Sequence, residues 1–217
     1  MKPVIYYIFS GLLLLLTANS CQGSKKTSPS TSSLPSDSLT TDALLDTVQR
    51  RTFLYFWDGA EPNSGLAPER IHMDGNYPAG GPDVVTSGGS GFGIMAILAG
   101  INRGYVSRTD GLVRMEKIVS FLERADRFKG AYPHWWYGET GKVKPFGQKD
   151  NGGDLVETAF LMQGLLAVHQ YYIDGTPQEK ALAQRIDKLW REVDWNWYRK
   201  GNQNVLCLLY TSDAADE

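Results

Sequence analysis

From Thr40 onward apolar residues recur at helical spacing. Leu44, Leu45, Val48 and Phe56 follow a period near 3.6, with Thr40 or Thr41 placed to cap, so a first helix is expected there. The glycine- and proline-rich stretch 59–81 ends it. A second helix should start within GGSGFGIMAILAGINRG and stop near Gly104. A third runs from Ser107 to about Phe128, with Leu112, Met115, Val119 and Leu122 on one stripe. AYPHWWYGETGKVKPF interrupts the helical pattern: an aromatic run, a GETG turn and a short second run predict a β-hairpin. Helical spacing returns from about Asp154 to Ile173. In TPQE, Thr176 caps, Pro177 takes the first helical position and Glu179 closes a capping box, opening a helix to about Val193. The pattern is all-α, with antiparallel helices paired across long loops. Two-helix units repeated around an axis make an α/α toroid; a smaller helical bundle satisfies the same pattern.

The two ends do not share this pattern. Residues 1–20 read as an export signal: Lys2 gives a positive start, and the apolar run Val4–Leu16 is short for a membrane span. LTANSC places small residues before Cys21, as in a bacterial lipoprotein signal, which predicts lipidation of Cys21. Simple secretion is the alternative. Residues 21–38, rich in Ser, Thr, Pro and Lys, read as a flexible tether. Residues 207–217, CLLYTSDAADE, are unrelated to what precedes them and read as a non-native, adapter-derived tail. The natural chain is then expected to continue past Leu206; a genuine acidic tail is the alternative.

The chain has 217 residues and a formal charge of −2, which argues against nucleic acid, since phosphate binding needs a basic face. With Cys21 lipidated, no disulfide framework is expected. His72, His134 and His169 have no metal-binding spacing, and no cofactor is implied. SGGSGFG at 87–93 lacks the pattern of a phosphate loop and of a serine-hydrolase elbow; it reads as a close-approach loop at a helix start, placed to line a cleft.

The chemistry concentrates in KDNGGDLVETAF. Gly152 and Gly153 push the helix start beyond them, so Asp154 lies in the first turn with Glu157 three residues on, and Asp150 can fold back. One reading is electrostatic, since helix N-termini favour acids. The other is glycosidic bond cleavage, which needs a carboxylic acid for the leaving oxygen and a carboxylate as base or nucleophile. A cluster of acids could also grip sugar hydroxyls without cleaving them. The hairpin supplies His134, Trp135, Trp136 and Tyr137. Alternation along a strand means that Trp135 and Trp136 cannot both enter one core, so one face looks into a groove; ordinary packing is the alternative. Arg70, in GLAPER, binds a hydroxyl or pairs with a carboxylate.

FLYFWDGAEPNSGLAPER, TSGGSGFGIMAILAGINRGYVSR, the aromatic hairpin, DLVETAFLMQGLLAVHQYY and VDWNWYRK together resemble the bacterial glycoamylase-like domain, whose characterised members are endo-β-1,2-glucanases of glycoside hydrolase family 144. The resemblance covers about residues 40–206. It implies an (α/α)6 toroid, of which residues 39–206 would be the N-terminal part, with a short hairpin inserted and a cleft at one end. It matches Asp150, Asp154 and Glu157 to the family's acidic cluster and implies a further cleft carboxylate beyond Leu206. The expectation is an exported, periplasmic or outer-membrane, lipid-anchored and monomeric glycoside hydrolase. It would cleave a β-glucan, most of all β-1,2-glucan, with inversion, and Asp154 and Glu157 would be the central pair. The alternatives are a non-catalytic surface glycan-binding lipoprotein and an α/α-toroid polysaccharide lyase with Tyr137 or His134 as base.

Overall fold

Four hydroxyl or carboxylate side chains begin four of the helices. Thr40 accepts from the Ala43 amide at 3.3 Å and opens α1 (Thr41–Trp57). Ser107 accepts from the Asp110 amide at 3.0 Å and opens α3 (Arg108–Arg124); α2 (Ser87–Asn102) precedes it. Asp154 opens α4 (Leu155–Tyr172). Thr176 and Glu179 form the reciprocal capping box of α5 (Pro177–Arg191), each side chain accepting from the other's amide, at 3.3 and 2.7 Å. The computed structural model describes residues 40–77, 81–145, 147, 151–199 and 204–206. Cys21, the proposed signal and tether, Asp150 and the tail 207–217 lie outside the described residues. No helix among the described residues is long and apolar enough to cross a membrane.

The helices match the expected order, with two corrections. First, α3 ends at Arg124, not Phe128, because Ala125 turns extended and a tight turn follows at Lys129 and Gly130, both with positive φ. The turn is locked from outside: a Cβ on Gly130 would stand 2.0 Å from the Glu192 carbonyl oxygen. Second, only the C-terminal half of the α1 stripe packs, with Phe56 half-buried against Gly93 of α2. Leu44, Leu45 and Val48 are exposed, while Phe53 is buried against α2 and packs where Gly100 leaves room.

The hairpin is present and gains a strand. β1 (Val84–Thr86), β2 (Trp135–Tyr137) and β3 (Val143–Lys144) form an antiparallel sheet in that order, with Val85 opposite Trp136 and Trp135 opposite Lys144. β1 is the end of the glycine-rich connection, so it ties that long loop to the aromatic segment.

The core lies where α2, α3, α4 and α5 meet beneath the sheet, with Ile97, Met115, Phe121, Leu161, Val168 and Ile186 all buried. SGGSGFG is not a loop: it forms the first two turns of α2. Its glycines serve a helix-to-helix approach. A Cβ on Gly91 would fall 2.2 Å from the Phe160 carbonyl oxygen, and one on Gly164 2.5 Å from the Gly91 carbonyl oxygen. Both obstacles are backbone, so no rotamer change relieves them. Gly91→Ala should therefore destabilise the fold by roughly 1–3 kcal/mol by forcing α2 and α4 apart. The check is the urea midpoint; an unchanged midpoint would contradict this contact.

Candidate active site

The N-termini of α2 and α4 converge on the segment that leads into β2. Tyr132 is stitched to the first turn of α4: its amide donates to Thr158 Oγ1 at 2.8 Å, and its carbonyl accepts from the Asp154 amide at 2.8 Å. The next two residues are stitched to α2. The Pro133 carbonyl accepts from Ser87 Oγ at 2.7 Å, and the His134 carbonyl from the Ser87 amide at 3.2 Å. His134 is thus delivered over the start of α4. There its Nδ1 lies 3.1 Å from Asp154 Oδ2, while Asp154 Oδ1 accepts from the Val156 and Glu157 amides, each at 3.0 Å.

Glu157 projects across to the other helix. Its Oε2 accepts from the Gly88 amide at 2.7 Å and from the Thr86 hydroxyl at 3.4 Å. Gly88 is required for this approach, because a Cβ there would lie 2.4 Å from that oxygen. The carboxylate therefore sits in the first turn of its own helix and against the N-terminus of a second. Both present amide hydrogens and the positive end of a helix dipole. Asp154 is 5% exposed, whereas Glu157 is half-buried and open to solvent on one side. Asp154 and Glu157 are brought together, as the spacing predicts.

The aromatic cluster splits as strand alternation requires, and one assignment is corrected. Trp136 is 0% exposed. It packs edge-to-face on Phe121 and Tyr132 at 5.8 and 5.4 Å, and its Nε1 donates to the Asp126 carbonyl at 3.1 Å, so no ring face is left for a sugar. Trp135 and Tyr137 occupy the opposite face of β2, half-buried. The Lys144 ammonium lies 4.6 Å from the Trp135 ring centroid, and His134 meets that ring edge-on at 5.3 Å. Arg70 is exposed and forms an ion pair with its neighbour Glu69, the second of the two roles foreseen for it. Among the described residues no group of three His, Cys, Asp or Glu side chains could hold a metal ion.

Sequence reasoning missed a further carboxylate. Glu61, 5% exposed, accepts from the amides of Asn63 and Ser64, from the Asn63 side chain and from the Ser64 hydroxyl. It closes the start of the long loop against Gly138, the residue after β2. The signal was E-x-N-S, a carboxylate two and three residues before side chains that can turn back to it. Burial pushes this carboxyl up, but the hydroxyl and amide donors outweigh burial and hold it below the ordinary carboxylate range. A depressed folded value means that the unfolded chain takes the proton first. The Glu61 contribution is thus full above the ordinary range and lost as pH falls through the folded value. Glu61→Gln should flatten the acid limb of a stability–pH curve below about pH 4.5, measured by urea unfolding at several pH values.

Three comparisons bear on this arrangement. A curated exo β-1,2-glucooligosaccharide sophorohydrolase (non-reducing end) of Parabacteroides distasonis is 53% identical over 163 residues, covering 75% of this chain and 22% of that protein. The endo-β-1,2-glucanase of Chitinophaga pinensis, solved with sophorotriose and glucose, is 64% identical with a TM-score of 0.79. It covers 81% of this chain and 42% of the other. This chain is a relative of the bacterial β-1,2-glucanases.

A crystal structure from Bacteroides caccae, provisionally named a glucoamylase, is 78% identical with a TM-score of 0.79 and covers the same shares, 81% and 42%. No family model matches the chain. The chain thus spans well under half the length of the relatives it matches. Like these β-1,2-glucanase relatives it is mostly helical, and its small sheet supports the segment that carries His134 and Trp135.

Proposed function

We propose that this chain is the N-terminal part of a glycoside hydrolase that cleaves β-1,2-glucan. The observation that carries the reading is Glu157: a solvent-reachable carboxylate held between two helix N-termini, one hydrogen-bonded residue away from the half-buried Trp135 and His134. Carbohydrate cleavage asks for an acceptor carboxylate beside an apolar, ring-sized platform, and this corner supplies both. The relatives add the substrate: the Chitinophaga pinensis enzyme is a β-1,2-glucanase solved with sophorotriose.

Glu157 acts as a reacting carboxylate beside Asp154, and Asp150, outside the described residues, is a further candidate. Hydrolysis proceeds with inversion, one acid protonating the leaving oxygen while a second carboxylate, roughly 6.5–9.5 Å away, activates water. Trp135, Tyr137 and His134 hold sugar rings. The toroid is completed by further helices, for which the open faces of α1, α2 and α4 are suited: Leu44, Leu45, Val48, Phe92, Met95 and Phe160 are exposed there. Such a run of apolar surface is costly in water unless something covers it. The protein is exported, anchored through a lipid on Cys21, and monomeric.

The deciding experiment measures new reducing ends. The protein at the length of its solved relatives, with this 217-residue chain beside it, is incubated with linear β-1,2-glucan, β-1,3-glucan, starch and a polyuronate. Oligosaccharides from β-1,2-glucan alone support the reading. Glucan binding without cleavage would make the acids a sugar clamp, and unsaturated products from the polyuronate would make the protein a lyase.

A further inference from the structure

We propose that Asp154 is a positioning residue: it fixes the Nδ1–H tautomer of His134 and ties that imidazole to the first turn of α4, rather than exchanging protons with a sugar. The inference deepens the hydrolase reading and rests on it for the reaction, although the tautomer itself does not depend on it.

The two described acids of the cluster are built differently. Asp154 is 5% exposed, and both of its oxygens are used within the protein. Oδ1 takes two amides of α4, and Oδ2 faces His134 Nδ1 at 3.1 Å. A carboxylate oxygen opposite a bare ring nitrogen would set two lone pairs against each other, so the proton belongs on Nδ1. The ring's other nitrogen then carries the lone pair while the imidazole is neutral. The backbone reinforces this choice. His134 is pinned from α2 through its carbonyl and Ser87, and from α4 through Tyr132 and Thr158. These attachments fix the backbone from which the ring is presented, and the hydrogen bond to Asp154 orients the ring itself. Glu157, by contrast, spends one oxygen on Gly88 and Thr86 and is half-buried. The cluster thus divides its labour: one acid sets the geometry, and one is placed to meet the substrate.

Asp154→Asn separates the two roles that Asp154 combines. Asparagine caps a helix about as well as aspartate, because its carbonyl oxygen still accepts from the α4 amides. Its amide nitrogen then becomes a donor toward His134 and demands the opposite tautomer. The readout is the ring-nitrogen spectrum of 15N-histidine-labelled protein. With three histidines in the chain, His134 is assigned by the signals lost in His134→Gln. The wild type should show a pyrrole-like Nδ1 on His134, and Asp154→Asn should move the proton to Nε2 while the melting temperature holds. A wild-type Nε2–H tautomer, or a tautomer unmoved by Asp154→Asn, overturns the proposal.

The second arm is a double-mutant cycle on reducing-end release. Asp154→Asn and His134→Gln should each lower kcat about tenfold or more, as losing an orienting partner does. Together they should lower it no further than one alone. An Asp154→Asn loss that persists undiminished in the His134→Gln background would make Asp154 a proton-transfer group and overturn the proposal. If the wild type cleaves no glucan, the hydrolase reading fails, and the tautomer experiment still decides the positioning.

Discussion

Glu157→Gln should lower the release of reducing ends from β-1,2-glucan by about 10²–10⁴-fold, the share of a barrier that a proton-transferring side chain supplies. The substitution is conservative in space. Glutamine keeps an oxygen for the Gly88 amide, the 2.7 Å bond that seats this side chain against α2, and adds no atom near Gly88. The fold should persist, with a melting temperature near the wild type. Were Glu157 present only to suit two helix N-termini, the variant would lose about 0.3–1 kcal/mol of stability and keep its activity. Measuring kcat and melting temperature on one preparation separates the outcomes. Full activity with lower stability would remove Glu157 from the reaction.

The second large effect falls on stability. Trp136→Ala should cost about 3–5 kcal/mol, the range for deleting a fully buried aromatic. The loss has several parts. Edge-to-face contacts to Phe121 and Tyr132 vanish, the Asp126 carbonyl loses its Nε1–H donor, and a cavity opens under the sheet where Trp136 faces Val85. Trp136→Phe should recover part of the packing and none of the hydrogen bond. Urea unfolding of the two variants gives the comparison. A Trp136→Ala protein of normal stability but weakened glucan binding would restore the sugar-stacking role that its burial denies it.

These two residues also mark what a linear sequence can reveal. The helices were legible because their signals are local: caps at Thr40 and Thr176 and an apolar stripe on α3, although Asp154, expected in the first turn of α4, instead caps it. The pairing of Asp154 with Glu157 was legible for the same reason, being three residues of one helix. Strand alternation required that one of Trp135 and Trp136 face inward, but only the pairing of β2 with β1 settles which. β1 itself, three residues long, is too short for a period-2 pattern to stand out. The partners Gly88 and Thr86 lie 69 and 71 residues from Glu157, a separation that no spacing rule bridges. The exposed stripe of Leu44, Leu45 and Val48 shows the limit from the other side: periodicity identifies an apolar face but not what it packs against.

The glycine contact between α2 and α4 has a practical corollary. Because main chain touches main chain at Gly91 and Gly164, the gap between Glu157 and its Gly88 seat does not depend on how neighbouring side chains repack. Hairpin and long loop can therefore be exchanged with those of a relative without resetting that gap, provided Thr86, which donates to Glu157, and Ser87, which holds the segment before β2 to α2, are kept. If the proposed function holds, grafting in that corner would change which sugar the site meets on an unchanged mount, with the two glycines as the parts to leave alone.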